Sequence, residues 1–166
     1  PYAASKAAAE LIAKSFHHSY NTPVIITRGN NVFGPNQYPE KVLPKFIKLL
    51  KQNQKVTIEG DGMNKRSFIH TLDVARAIET ILHKGMVGEI CNIGNNADEY
   101  GILDIAKMLI RKIQHTTDYS KWITHVKDRP FNDKRYLISS KKLRALGWTV
   151  QQNFANQINN LLQIYP

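Results

Sequence analysis

Val24-Ile25-Ile26-Thr27-Arg28-Gly29-Asn30-Asn31-Val32-Phe33-Gly34-Pro35 is the stretch that decides the fold class. Its first four residues are a short apolar, β-branched run, the pattern of a strand buried on both faces. Residues 28–39 are rich in Asn, Gly and Pro and read as a loop. A helix is expected next over 42–50, with Leu43, Phe46, Ile47 and Leu50 on one face. Pro44 is tolerated there because it lies in the first turn. Strand, loop and helix then recur downstream, and such alternation argues for an α/β chain.

Working outward, Val56-Thr57-Ile58 reads as a short strand and Gly60-Asp61-Gly62 as a turn too short for a phosphate loop. Residues 66–70 lead into a helix capped by Thr71 or Asp73, with Val74, Ile78, Ile81 and Leu82 facing inward. A strand over 89–93 is followed by a Gly94-Asn95-Asn96 turn. Residues 102–113 have amphipathic spacing, and His125-Val126 can form a short strand. Two further helices fit 139–146, stopped by Gly147, and 154–164. Upstream, Pro1-Tyr2-Ala3-Ala4-Ser5-Lys6-Ala7 opens a helix whose Ala8, Leu11, Ile12 and Phe16 should cover another element. Tyr2 and Lys6, at i and i+4, share one face of it. An ammonium beside a phenol favours the phenolate, so such a pair can form a general base. Spacing alone favours a surface tyrosine and a solvated lysine on an alanine-rich helix.

Composition narrows the class further. The 166 residues have 42% apolar content, enough for one domain or two small lobes. There is neither a signal-peptide pattern nor an apolar run long enough to span a membrane, so no membrane partner is expected. The single Cys91 excludes an internal disulfide and fits a reducing, cytoplasmic compartment. A formal charge of +10 arises from 23 Lys and Arg against 13 Asp and Glu. These cations are scattered, not grouped in a stripe, which suits small anionic ligands and gives no nucleic-acid footprint. His17-His18 lack companions at metal-ligand spacing, and no metal site is expected. His70 reads as structural, and Trp122, Tyr136 and Trp148 read as core anchors.

Several motifs together carry a resemblance: Tyr2-Ala3-Ala4-Ser5-Lys6, Thr27-Arg28-Gly29-Asn30-Asn31-Val32-Phe33-Gly34-Pro35 and Gln37-Tyr38-Pro39-Glu40-Lys41. Lys65-Arg66-Ser67-Phe68-Ile69-His70, Gly88-Glu89-Ile90-Cys91-Asn92-Ile93-Gly94 and Asp128-Arg129-Pro130 complete the set. Over essentially its whole length the chain resembles the C-terminal half of an extended short-chain dehydrogenase/reductase. The Tyr and Lys pair marks only that superfamily. Pro-Glu-Lys together with Asp-Arg-Pro narrows the likeness to the dTDP-glucose or UDP-glucose 4,6-dehydratases.

The resemblance implies an enzyme, a lyase, using NAD. The fold would be the C-terminal half of a doubly wound, Rossmann-like parallel sheet plus a smaller α/β substrate lobe. Residues 1–35 would hold the catalytic helix and following strand of the NAD-binding domain. Residues 36–166 would be mainly the nucleotide-sugar lobe, with a segment of about 68–95 returning to the NAD-binding domain. Tyr2 would take the sugar 4-hydroxyl proton, while Lys6 holds it ionised and meets the nicotinamide ribose. Asn30 would lie at the cofactor or brace its loop. Arg66 and Arg129 would clamp the pyrophosphate, since guanidiniums from two loops can do so through charged, bidentate bonds. Asn31 would donate to phosphate or sugar oxygens, Glu40 and Lys41 would meet the pyrimidine, and Asn132 would lie near the nucleotide ribose. A homodimer is implied for the full-length protein.

Departures qualify the transfer. Gly101 stands where many members carry Asn or Ser, and Asn132 where some have His. The choice between thymidine and uridine stays open, because one methyl in an apolar pocket is worth only about 1 kcal/mol. The nicotinamide-binding glycine fingerprint and the acid pair that the family uses for dehydration are not in this sequence. Most strands of the parent sheet would also lie upstream. The segment alone is therefore expected to be inactive, and poorly folded because the first helix and the Val24-Thr27 strand lose their main packing partners. A 4-epimerase, a glucuronate decarboxylase and a non-catalytic substrate-binding fragment are the alternatives.

Overall fold

A computed structural model describes residues 1–95, 97 and 99–165. Helix α1 (Tyr2–Tyr20) precedes strands β1 (Ile26–Gly29) and β2 (Asn31–Phe33), and α2 (Val42–Lys51) precedes β3 (Val56–Glu59). Strand β4 (Lys65–His70) runs into α3 (Thr71–Lys84), followed by β5 (Ile90–Ile93), β6 (Glu99–Gly101) and α4 (Ile102–Gln114). The remainder is β7 (Ile123–Val126), β8 (Arg135–Tyr136), α5 (Lys141–Ala145) and α6 (Phe154–Ile164). The pairings are mostly parallel, as expected of an α/β chain: β1 with β5, β2 with β4, β3 with β7, and β8 with β4. Only β6 runs antiparallel, against β4, among the described strands.

Strand β4 divides two cores. Neighbouring strand residues point to opposite faces, and Phe68 joins one core while Ile69 joins the other. The larger core packs the predicted face of α2 (Leu43, Phe46, Ile47, Leu50) on Ile105 and Leu109 of α4 and on Phe154 and Ile158 of α6. Aromatic edges lock it: Phe33 and Phe154 lie 5.0 Å apart between centroids, and Tyr100 stacks on Phe154 at 4.4 Å. The smaller core joins Ile69, Ala77, Ile81, Cys91 and Ile93 to Leu143 and Trp148. Residues near 68–95 thus pack together, and 143–150 join them, a partnership absent from the sequence reading.

Other differences have physical causes. The loop read over 28–39 contains β2, a three-residue strand that its own Asn-rich sequence does not favour and that pairing with β4 imposes. The short β6 and β8 were missed for the same reason. Helix α3 is capped by neither Thr71 nor Asp73. Its cap is His70, whose Nδ1 accepts the Leu72 N–H at 3.2 Å. The inward face of α3 is Asp73, Ala77 and Ile81, while Ile78 and Leu82 are exposed. Leu11, Ile12 and Phe16 of α1 are likewise exposed, and none of its residues is buried. Tyr136 is exposed on the short β8, whereas Trp148 is buried and donates Nε1–H to the Asp73 carbonyl at 3.0 Å. Gly94 and Asn95 are described, but Asn96, the last residue of the turn read there, lies outside the described residues. No described helix is long and apolar enough to cross a membrane, and no His, Cys, Asp and Glu cluster among the described residues can hold a metal ion.

Candidate active site

One cleft of about 730 Å³ opens between the start of α1, the N-terminal part of β2, the N-terminus of α2 and the loop after β7. Asn31 reaches it from β2, while Glu40 and Lys41 reach it from the turn that precedes α2. That turn is tied down locally: the Lys41 N–H donates to the Tyr38 carbonyl at 3.0 Å, and Gln37 Nε2 donates to the Val32 carbonyl at 2.8 Å. The Tyr165 hydroxyl lies 3.3 and 3.2 Å from the carbonyl oxygens of Gly34 and Gln37, fastening the same turn to the end of α6. Since α2 begins at Val42, Glu40 lies before the helix and not inside its first turn.

The opposite wall is cationic. Arg66 leaves β4 and donates Nη1–H to the carbonyls of Lys65 (2.8 Å) and Asp133 (2.6 Å). Arg129 donates Nε–H to Glu59 Oε2 at 2.8 Å. Each guanidinium also donates to Oδ1 of Asn132, at 2.8 Å from Arg66 and 2.9 Å from Arg129. Asn132 Nδ2 in turn donates to Asp128 Oδ1 at 2.9 Å. The Asp128 carboxyl is held below its ordinary pKa first by the Asn132 amide, then by the Arg129 backbone N–H, with the two guanidinium charges adding to them. Gly60 keeps the turn after β3 close to this loop: it sits at φ 58°, and a Cβ there would meet Asp128 Oδ2 at 3.0 Å.

Tyr2 lines the same cleft from its rim, 75% exposed, and Lys6 Nζ stands 5.7 Å from its ring centroid. Lys6 itself is not on the cleft wall. Asn30 is not on it either. Only 5% exposed, it accepts the Asn95 N–H on Oδ1 at 3.2 Å, and its buried Nδ2 has no partner among the described residues. A Cβ at Gly94 would approach that Oδ1 to 2.7 Å, so the glycine permits the contact. The cleft therefore gathers Tyr2, Asn31, Glu40 and Lys41 with Arg66, Arg129 and Asn132. Lys45 and Glu59 are charged lining residues that the sequence reading did not assign to the site. Lys45 was legible as the residue one turn after Lys41 on the same face, whereas the ion pair of Glu59 with a residue 70 positions away leaves no local signal.

Residues 1–94 match the model of the NAD dependent epimerase/dehydratase family. The dTDP-D-glucose 4,6-dehydratase of Homo sapiens is 46% identical over 168 residues, covering 99% of this chain and 48% of that protein. An Arabidopsis thaliana trifunctional protein that includes UDP-glucose 4,6-dehydratase activity is 42% identical over 165 residues, with 99% and 24% covered. Among solved structures, a double mutant of dTDP-glucose 4,6-dehydratase from Streptomyces venezuelae, with NAD and DAU bound, superposes with a TM-score of 0.93. It is 36% identical, and the match covers 99% of this chain and 50% of that one. UDP-glucuronic acid 4-epimerase from Bacillus cereus, in complex with UDP-glucuronic acid and NAD, gives 0.90 at 26% identity, covering 99% and 52%. The chain spans about half the length of the curated dehydratases it matches.

Proposed function

Because this chain belongs to the NAD dependent epimerase/dehydratase family, we propose that the complete protein dehydrates dTDP-glucose or UDP-glucose to the 4-keto-6-deoxy sugar with NAD as cofactor. The carrying observation is one cleft that receives both Arg66 and Arg129 on one wall and Tyr2 at its rim. The chain is the C-terminal half in this reading, with α1, β1 and about 68–95 on the cofactor side and most of 36–166 forming the sugar-nucleotide lobe. Its single buried, free Cys91 suits the cytoplasm, and the complete protein is assigned as a homodimer.

The residues fit an NAD nicotinamide and ribose: Lys6 offers an exposed ammonium beside the Tyr2 ring, and Asn30 Nδ2 is a buried donor without a partner among the described residues. NAD, when bound, supplies the acceptor for the C4 hydride and its later return. Tyr2 accepts the proton from the sugar 4-hydroxyl, with Lys6 as the neighbouring cation. The ketone so formed acidifies C5–H, which makes loss of water across C5 and C6 accessible. Arg66 and Arg129 hold the diphosphate, Asn31 donates to phosphate or sugar oxygens, and Glu40 and Lys41 meet the base.

The test is incubation of the complete protein with dTDP-glucose and UDP-glucose. A 4-keto-6-deoxy product from either is expected, and Tyr2→Phe should lower turnover by at least about 100-fold. Formation of the C4 epimer alone would favour the epimerase alternative. Turnover that survives Tyr2→Phe would remove Tyr2 as the base.

A further inference from the structure

Two like-charged groups converge on one neutral oxygen. Asn132 Oδ1 accepts from Nη2 of Arg66 on β4 and from Nη2 of Arg129 in the loop after β7, at 2.8 and 2.9 Å. The two Nη2 atoms can be no further apart than those lengths laid end to end, the scale that separates oxygens on adjoining phosphoryl groups. The amide is fixed in this orientation, because Nδ2 donates to Asp128 Oδ1 at 2.9 Å. Turned over, it would set N–H groups against two guanidiniums and an oxygen against a carboxylate. Asp128 is itself steadied by the Arg129 N–H at 2.8 Å. Both ends of the Asn132 amide are thus engaged within the protein. Among the described residues, Nε of Arg66 and Nη1 of Arg129 make no hydrogen bond, so each cation keeps a donor for a ligand.

We infer that Asn132 is a positioning residue that spaces Arg66 and Arg129 for a diphosphate and does not itself read the ribose, an inference that rests on the sugar-nucleotide reading above. The chemistry selects this side chain. A neutral acceptor joins the two cations without adding to the negative charge that Glu59 already sets against Arg129. A second carboxylate would offset more of the pair's charge, and an apolar residue would let them separate. The consequence is discrimination by phosphate number. A diphosphate engages both arginines at once, a monophosphate engages the pair less completely, and a nucleoside engages neither.

The complete protein and its Asn132→Ala variant would be titrated calorimetrically with nucleoside diphosphate, nucleoside monophosphate and nucleoside, in the thymidine or uridine series that the unaltered protein prefers. Asn132→Ala should weaken the diphosphate about tenfold, the monophosphate by less, and the nucleoside not at all. In an Arg129→Ala background the same change should have little further effect, since no pair is left to space. Equal losses for all three ligands, or additive losses in the double variant, would overturn the role. If Asn132→Ala shows no thermal transition, Asp128→Asn is read in its place. It should give the same ligand ranking at smaller size, and an unchanged diphosphate affinity there overturns the proposal. Failure of the unaltered protein to bind any nucleoside diphosphate overturns the functional reading and this inference with it, whereas diphosphate binding untouched by Asn132→Ala overturns the spacing role alone.

Discussion

His70, only 3% exposed, joins β4 to α3 with its ring edge-on to Phe33, 5.2 Å between centroids. Its Nδ1 must be unprotonated to accept the Leu72 N–H, so the capping ring is neutral. Burial, the largest cause, lowers its pKa below the ordinary value of 6.5, and the charge of Arg76 acts in the same direction against the opposing pull of Asp73. The unfolded chain therefore binds more protons than the native one in this range. The associated stability is fully present above the unfolded pKa and is lost as pH falls through the lowered native one. His70→Asn keeps a side-chain cap and removes the titration. Urea denaturation across pH 7.5 to about 5 should give a flatter stability profile for the variant than for the parent. Parallel profiles would assign the acid sensitivity elsewhere. At this same scale, the motifs around Tyr2, Asn31, Arg66 and Arg129 were legible because each is a short local string. The double use of Asn132 Oδ1 was not legible, since it joins positions 66, 129 and 132 only in space.

Asp73 makes α3 the anchor for the chain before α6. Fully buried, its carboxylate accepts the Gln151 and Gln152 N–H groups at 3.0 Å each and pairs with Arg76, while its carbonyl takes the Trp148 indole N–H. Removing the carboxylate leaves two backbone donors without acceptors, each worth about 1–3 kcal/mol when buried. Asp73→Ala should therefore lower unfolding free energy by about 3 kcal/mol in chemical denaturation. Asp73→Asn, which retains one good acceptor, should cost less. A loss under about 1 kcal/mol would mean that water replaces the carboxylate. The helices α2, α4 and α6 fell within a few residues of their expected bounds, because each carries an apolar face at helical spacing over ten residues or more. The strands β2, β6 and β8 span two or three residues, too few for a period, and exist only through pairing with β4.

Across the molecule, stability is unevenly distributed. The two cores flank β4 and bury most large side chains from α2, α4 and α6, whereas α1 contributes none. Among the described residues, side chains tie α1 to its surroundings through the Arg28 to Glu10 pair, with Nε–Oε1 at 2.8 Å, and through His17 Nδ1, 2.8 Å from the Thr22 carbonyl. Hydrogen exchange on the 166-residue chain should therefore find amides of α2, α4 and β3 slow and those of α1 fast. Uniform slow exchange would show that α1 is covered in solution. This measurement tests the expectation of poor folding at α1 separately from activity. The following strand β1, three of whose four residues are exposed, is the other element that expectation names. By itself, the sequence determined the α/β class, the amphipathic helices and the family motifs, since periodicity and short motifs are local properties of a chain. Tertiary structure decided which motifs share a cleft, that His70 and not Thr71 or Asp73 caps α3, that Asn30 turns inward, and that one asparagine joins two arginines. Apart from the local His70 cap, those outcomes depend on segments some 30 to 70 residues apart meeting around β4, and pairing at that range leaves no periodic trace in a single sequence.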